Sequence, residues 1–365
     1  MPHASFLHFY WAWRALLGGL FATLKAPIPK ANVYHTISTG YAGLLAARAS
    51  LETGRPAIVT EHGIYTNERR IEILMADWIS DTVNKGMGLD DERTDLRDLW
   101  IKMFDAYALV CYQASRTITT LYQENQLMQV ALGAAPDRLR IIANGIDLDR
   151  FDALPLASAD AIPTIALIGR VVPIKDVKTF IAAIAWLRER IPDISGLILG
   201  PIDEDPAYYA ECVALVDELE LQDSIRFTGP VDVTEFLSSI HVVVLTSLSE
   251  AQPLVLLEAG AAGVPCVTTN VGSCREVIEG TSDEAPELGP GGYVVDLVAP
   301  EQIGAAVQKL LAAPEMRRRF GANLKERVRT YFSSDLAQEA YRSLYDEHMA
   351  VPDAKPDAEF VGGLR

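Results

Sequence analysis

"TIALIGRVVPIKDVKTFIAAIAWLRER", residues 164–190, runs from an apolar stretch through Gly169 into a loop with Arg170 and Lys175, and then into apolar residues at helical spacing from Val177. A strand that ends in a glycine turn and opens a helix is the repeating unit of a mostly parallel sheet. The chain repeats the unit downstream. "SGLILGP", "SIRFTG", "HVVVLTS", "PCVTTN" and "GYVV" read as strands, and "PAYYAECVALVDELE", "VTEFLSSI" and "PLVLLEAGAAG" as helices, with two terminal helices after the last strand. Strands as uniformly apolar as "HVVVLTS" need cover on both faces, which a doubly wound sheet provides.

The first half alternates less cleanly. A helix over "FLHFYWAWRALLGGLFATL" is followed by strand "ANVYHTI", helix "GYAGLLAARASLETG" and strand "PAIVTEH". Helices are expected from Arg70 to about Val83 and from Arg93 to Lys102, then a buried strand "AYALVCYQ". "SRTITTLYQENQLMQVALG" reads as a helix capped by Ser115, and "LRIIANGID" as a strand ending in a turn. The polar, proline-bearing stretch at 147–163 marks a boundary. The expected organisation is an α/β chain of two facing Rossmann-like domains with parallel sheets. These are residues 1–146, expected to be incomplete at the start, and residues 147–335. A helix over 336–350 returns to the first domain, and residues 351–365 form a tail.

With 365 residues, 49% of them hydrophobic, the chain can bury a large core. A formal charge of −17 disfavours nonspecific contact with nucleic acid or anionic lipid, so an anionic ligand must be met by local cations. Cys111, Cys212, Cys266 and Cys274 lack metal-ligand spacing and read as free thiols of a reducing compartment. His8 and Arg14 interrupt the aromatic opening stretch, which favours a buried or partner-facing helix over a membrane anchor.

The chemistry concentrates in two segments. In "SEAQPLVLLEA", residues 249–259, Pro253 sits where a helix begins and Glu250 and Glu258 stand eight residues apart. The helix start offers unpaired amides and a partial positive charge for a phosphate, and the carboxylates suit sugar and ribose hydroxyls. Alone, the segment reads equally well as a capped helix with Glu258 solvated or ion-paired. Arg170 and Lys175 decide between the readings, because two cations at a strand's carboxyl end can neutralise a leaving diphosphate without a metal. The acidic triplets "DLD" at 147–149 and "DED" at 203–205 read as solvated loops rather than metal sites.

"GRVVPIK" paired with "EAQPLVLLE" and preceded by "ANGID" resembles the retaining glycosyltransferases of family 4, which have the GT-B fold. "TEHGIYTNERRIEI", "HTISTGYAGLLAA" and "SEAQPLVLLEAGAAGVPCVTTNVGSCREV" resemble one branch of that family, the PelF-type enzymes of Pel exopolysaccharide synthesis. The resemblance implies retaining transfer from a UDP-sugar to a growing polysaccharide in the cytoplasm, with membrane association through partners such as an inner-membrane synthase complex. It implies no cofactor and no metal. Arg170 and Lys175 would clamp the diphosphate, Glu258 would hold the ribose, and Glu250 would lie near the donor sugar. The backbone at Gln252, Pro253 and Leu254 would meet sugar or phosphate. His62 would face the donor sugar, with Gly63 in its turn and Glu61 orienting it or lining the acceptor side. Asn144 and Gly145 would form the hinge. The family's first domain normally begins with strands and a glycine-rich loop, and this chain is expected to start after them. That departure keeps two alternatives open, a noncatalytic UDP-sugar-binding or assembly subunit and a GT-B nucleotide-sugar epimerase.

Overall fold

The computed structural model describes residues 6–75 and 96–350. The chain divides into two compact units, one from the start to Ile142 joined by residues from Ala340 onward, the other from Ala143 to Glu339. The expected helix end near Val83, the helix start at Arg93 and the tail at 351–365 lie outside the described residues.

The first unit contains α1 Phe6–Lys25, β1 Tyr34–Thr36, α2 Tyr41–Thr53, β2 Ala57–Glu61, α3 Tyr65–Met75, α4 Leu96–Ala114, β3 Ser115–Thr120, α5 Gln123–Ala131 and β4 Leu139–Ile141. Its strands pair in parallel in the order β1-β2-β3-β4. Two expected elements are corrected. "AYALVCYQ" is the last part of helix α4, not a strand, because its apolar residues follow helical spacing: Phe104, Tyr107, Ala108, Cys111 and Tyr112 are buried, while Leu109 and Val110 point outward. "SRTITT" is strand β3, and Ser115 caps no helix; its hydroxyl donates to the Cys111 carbonyl at 2.7 Å. Threonines are β-branched and favour a pleated strand, and burial is tolerated because their hydroxyls are bonded. Thr119 meets Thr60 at 2.5 Å and Thr117 meets His348 at 2.8 Å. Helix α3 also begins at Tyr65, five residues before the expected start.

Helix α1 is buried along one side only. Leu16 is covered, and Arg48 of α2 donates to the carbonyls of Thr23 and Ala26 near its end, but Trp11, Trp13 and Phe21 stand about half exposed. Among the described residues no helix is long and apolar enough to cross a membrane.

The second unit runs β5 Thr164–Ile168, α6 Val177–Arg188, β6 Ser195–Leu199, α7 Pro206–Glu218, β7 Ile225–Gly229, α8 Thr234–Leu237, β8 Val242–Leu245, α9 Leu254–Ala261, β9 Cys266–Thr269, α10 Cys274–Glu279, β10 Gly292–Val295, α11 Pro300–Ala312 and α12 Pro314–Tyr331, after which α13 Ser334–Met349 leads back to the first unit. All six strands are parallel, in the order β10-β9-β8-β5-β6-β7. One face packs on Phe180, Ile181 and Ile184 of α6 with Val307 of α11, and the other on Leu256 and Leu257 of α9 with Leu324 of α12. This two-sided cover explains why every residue of β8 is buried. Three helices follow β10 instead of two, because Pro314 opens a new helix where α11 ends.

Helix α13 completes the first unit. Leu344 packs with Ile58 and Ile142, the Tyr345 hydroxyl meets His35 at 2.6 Å, and Glu347 forms a two-bonded pair with Arg140 at 2.6 and 2.8 Å. Within the second unit, the chain's entry and exit run side by side: the Ile146 amide donates to Phe332 at 2.9 Å and the Ser334 amide to Ile146 at 2.8 Å.

Candidate functional site

Strand order in the second sheet reverses at β5, which has β6 on one side and β8 on the other. Loops leaving the carboxyl ends of strands at such a switch point form a crevice suited to ligands. The loop after β5 is held by the Gly169 amide donating to Leu199 at 2.8 Å and the Val171 amide to Pro201 at 2.8 Å. Pro173–Lys175 then makes a tight turn. Asp176, at φ 45°, caps α6 through the Thr179 amide at 3.4 Å. The neighbouring strand fixes this turn: the Thr246 hydroxyl donates to the Lys175 carbonyl at 2.7 Å and the Leu248 amide to Ile174 at 2.9 Å.

These anchors bring Lys175 and Glu250 together. Nζ of Lys175 lies 2.5 Å from Oε1 of Glu250, with side chains 20% and 13% exposed, so the pair is largely shielded but still open to a ligand. The loop bearing Glu250 is supported from β9. Gly272, at φ +52°, lies so close that a Cβ there would strike the carbonyl oxygens of Glu250 and Ala251, and the Ser273 amide donates to Ala251 at 2.8 Å. Thr246, Gly272 and Ser273 escaped the sequence reading; a glycine in the turn directly after a strand, in "NVGS", was the available signal.

Pro253 precedes the first turn of α9 in an extended conformation and no side chain caps that turn, leaving its first amides for a ligand. Leu254 opens the helix and is exposed. Glu258 is half-buried, and burial holds its pKa above the usual carboxylate range, opposed by Arg150 and reinforced by Asp232. Gln252 is buried, and its Oε1 accepts the Asn144 amide at 2.6 Å. Gly145 presses on the backbone of Ser333 and Ser334 with no room for a side chain. Arg170 stands in the same loop as Lys175, but its guanidinium is paired with Glu204 at the surface.

Three candidate residues belong to the first unit. His62 is exposed just after β2, its carbonyl accepting Asn125 Nδ2 at 3.1 Å. Gly63 packs beside the Glu68 carboxylate. Glu61 is 1% exposed, accepting from Tyr112 at 2.5 Å, Gln129 at 3.1 Å and Thr39 at 3.2 Å. Burial raises its pKa against those bonds, and none of the three reaches His62. Arg69 pairs with Glu72 and Arg70 with Asp105.

The acidic triplets have local duties. Asp147 accepts the Asp149 amide at 3.1 Å, Glu204 holds Arg170, and Asp205 caps α7 through the Tyr208 amide at 3.0 Å. Among the described residues no three metal-ligating side chains cluster.

Two parallel sheets, one in each unit, and the solved structures that superpose on the chain show an α/β protein of the GT-B fold. Residues 155–327 match a family described as "Glycosyl transferases group 1", and residues 1–137 match a family described as "Domain of unknown function (DUF3492)". HepE of Anabaena, solved in complex with UDP, superposes with a TM-score of 0.67 at 15% identity over 92% of this chain and 82% of that one. Sucrose-phosphate synthase from Thermosynechococcus elongatus superposes at 0.64 with 22% identity, over 93% and 77%. In sequence, D-inositol 3-phosphate glycosyltransferase 2 of Catenulispora acidiphila is 29% identical over 228 residues, 58% of this chain and 52% of that protein. The chain thus spans about half the length of such curated relatives.

Proposed function

We propose that this chain is a retaining glycosyltransferase that moves a sugar from a UDP-sugar to a growing polysaccharide on the cytoplasmic side of the membrane, as in Pel exopolysaccharide synthesis. The observation that carries the reading is the Lys175–Glu250 pair at the switch point of the second sheet, in a unit that also presents the uncapped start of α9. A diphosphate seated there draws Lys175 away from Glu250 and takes the α9 amides as further donors. Arg170 exchanges Glu204 for the same group, and Glu258 holds the ribose hydroxyls. Support for the donor comes from HepE, which has been solved with UDP and with UDP-glucose.

In the transfer, the bond between the anomeric carbon and the diphosphate oxygen breaks, the acceptor oxygen bonds to the same face of that carbon, and the acceptor proton passes to the departing diphosphate. Lys175 and Arg170 stabilise the charge that develops on the leaving group. His62 contributes to turnover rather than to UDP binding. The test combines calorimetric titration with a panel of UDP-sugars and NMR of the product's anomeric centre, with oligosaccharides and D-inositol 3-phosphate as competing acceptors. Retained configuration on an oligosaccharide supports the assignment. Conversion of the donor without an acceptor would make the chain an epimerase, and UDP binding without turnover would make it an assembly subunit.

A further inference from the structure

At the opposite end of the second sheet, where the strands begin, a cavity of about 180 Å³ lies between the approaches to β8 and β9 and the first turns of α12. Ser158, Ile240, His241, Val264, Arg317 and Arg318 are among its walls. The residue that matters is Arg317. It is 8% exposed, yet its guanidinium makes no hydrogen bond or ion pair with any described residue. None of its nitrogens is sealed from solvent, so the charge faces the cavity rather than a protein partner, and arginine keeps its proton. Ten residues on in the same helix, Arg327 shows what this fold does with a buried guanidinium: it meets Glu284 at 2.5 and 2.9 Å and the carbonyls of Ile278 and Gly289 at 3.1 and 2.7 Å.

The surroundings of Arg317 make the missing partner an anion from outside. Arg318 beside it adds a second cation, which pairs with Glu315 at the surface, and among the described residues no carboxylate pairs with Arg317. Both arginines lie in the first two turns of α12, where the helix dipole repels cations and attracts anions, and no side chain caps that end. His241 adds no charge. Its Nδ1 accepts the Thr164 amide at 3.2 Å and its Nε2 donates to the Ser158 carbonyl at 3.0 Å, a pattern only the neutral ring satisfies. Ile240 and Val264 supply an apolar wall. The cavity is too small for a nucleotide sugar, since ligand pockets run from about 300 Å³ upward, and large enough for a phosphate with a short stem. At about 3.3 Å per residue, the length of β8 separates it from the Lys175 loop by about 13 Å.

We propose that this cavity binds a small phosphate group, free or esterified to a short stem, through the Arg317 guanidinium. The site is separate from the one assigned to UDP. The test uses the full chain with Lys175→Ala, which weakens the phosphate-binding capacity of the switch-point loop, and compares Arg317 with Arg317→Met and Arg317→Lys. Thermal unfolding is followed in about 10 mM inorganic phosphate or glycerol phosphate against chloride at equal ionic strength. Phosphate raises the midpoint with Arg317 present, the Lys variant keeps part of the response, and the Met variant loses it, with affinity down by about tenfold or more. In chloride, Arg317→Met is at least as stable as its parent, which verifies folding. A stronger response to glycerol phosphate identifies an esterified ligand, and a stronger response to inorganic phosphate identifies the free ion. An undiminished response in Arg317→Met, or no response in any variant, overturns the proposal.

Discussion

Replacing Lys175 with alanine removes the cation that the β5 loop presents beside Glu250. A hydrogen bond to a charged group contributes about 1.5–3 kcal/mol. The Lys175 side chain is only 20% exposed, so solvent screens it weakly, but in the free protein it already bonds Glu250 and must leave that partner. A part-exposed ion pair of this kind is worth about 0.5–1 kcal/mol, and subtracting it sets the loss on Lys175→Ala at about 0.5–2.5 kcal/mol. UDP affinity should therefore fall by about 2- to 70-fold. The structure also fixes the sign of a second change. Glu250→Gln releases Lys175 and removes a negative charge from the phosphate's surroundings, so UDP itself binds as well as before or up to about fivefold more tightly, while transfer from a UDP-sugar slows. Calorimetric titration with UDP at about 0.15 M salt reads both numbers, since that ionic strength screens distant charges and leaves this contact. Lys175→Ala within about twofold of the parent, or Glu250→Gln weakening UDP as much as Lys175→Ala does, would refute the reasoning.

Gly272→Ala should impair UDP binding without touching UDP, because its left-handed φ alone costs a side chain about 1–2 kcal/mol and the new Cβ displaces the Glu250–Ala251 carbonyls; titration at parent affinity would contradict this. Arg327→Met strands the Glu284 carboxylate, whose side chain is 5% exposed, and should lower unfolding free energy by about 3–5 kcal/mol in urea, unlike Arg317→Met in the same helix. Burial holds the pKa of His241 and of His348 below 6.5, so the unfolded chain binds their protons more readily. Their contribution to stability is complete above pH 6.5 and is lost as pH falls through the lowered native values, at up to about 1.4 kcal/mol per pH unit for each; urea midpoints that stay flat between about pH 7.5 and 5.5 would count against it.

The second unit was far more legible in the sequence than the first, for reasons visible in particular residues. Strands such as β5 and β8 are short apolar runs bounded by loops, and Pro253 or Asp176 marks where a helix begins. In the first unit the hydrophobic pattern misled twice. Leu109 and Val110 give helix α4 an apolar outer side, so its periodicity looks like a strand's uniform run, and the polar hydroxyls of β3 suggest a solvated helix until their partners in β2 and α13 are known. The same limit applies to the site. Lys175 and Glu250 were readable because each follows a strand, but the meeting of loops from three strands depends on sheet order, which no local pattern encodes. Glu61 adjoins His62 in the chain, yet its bonds to Tyr112 and Gln129 come from helices 51 and 68 positions away. Arg317 gave no signal at all, since three successive arginines in a helix ordinarily mean a solvated face.

Helix α13 has a consequence for how the protein is made. Strands β1 to β4 leave the ribosome early, but Ile58, Ile142 and His35 find their last partners only when Leu344 and Tyr345 have been synthesised. Residues 143–339 are contiguous and carry their own core, so they can close while the earlier segment waits. The portion translated first is finished last. A chain cut short before Leu344 would carry an intact second unit on a first unit with part of its apolar surface uncovered, the kind of surface that chaperones and proteases recognise.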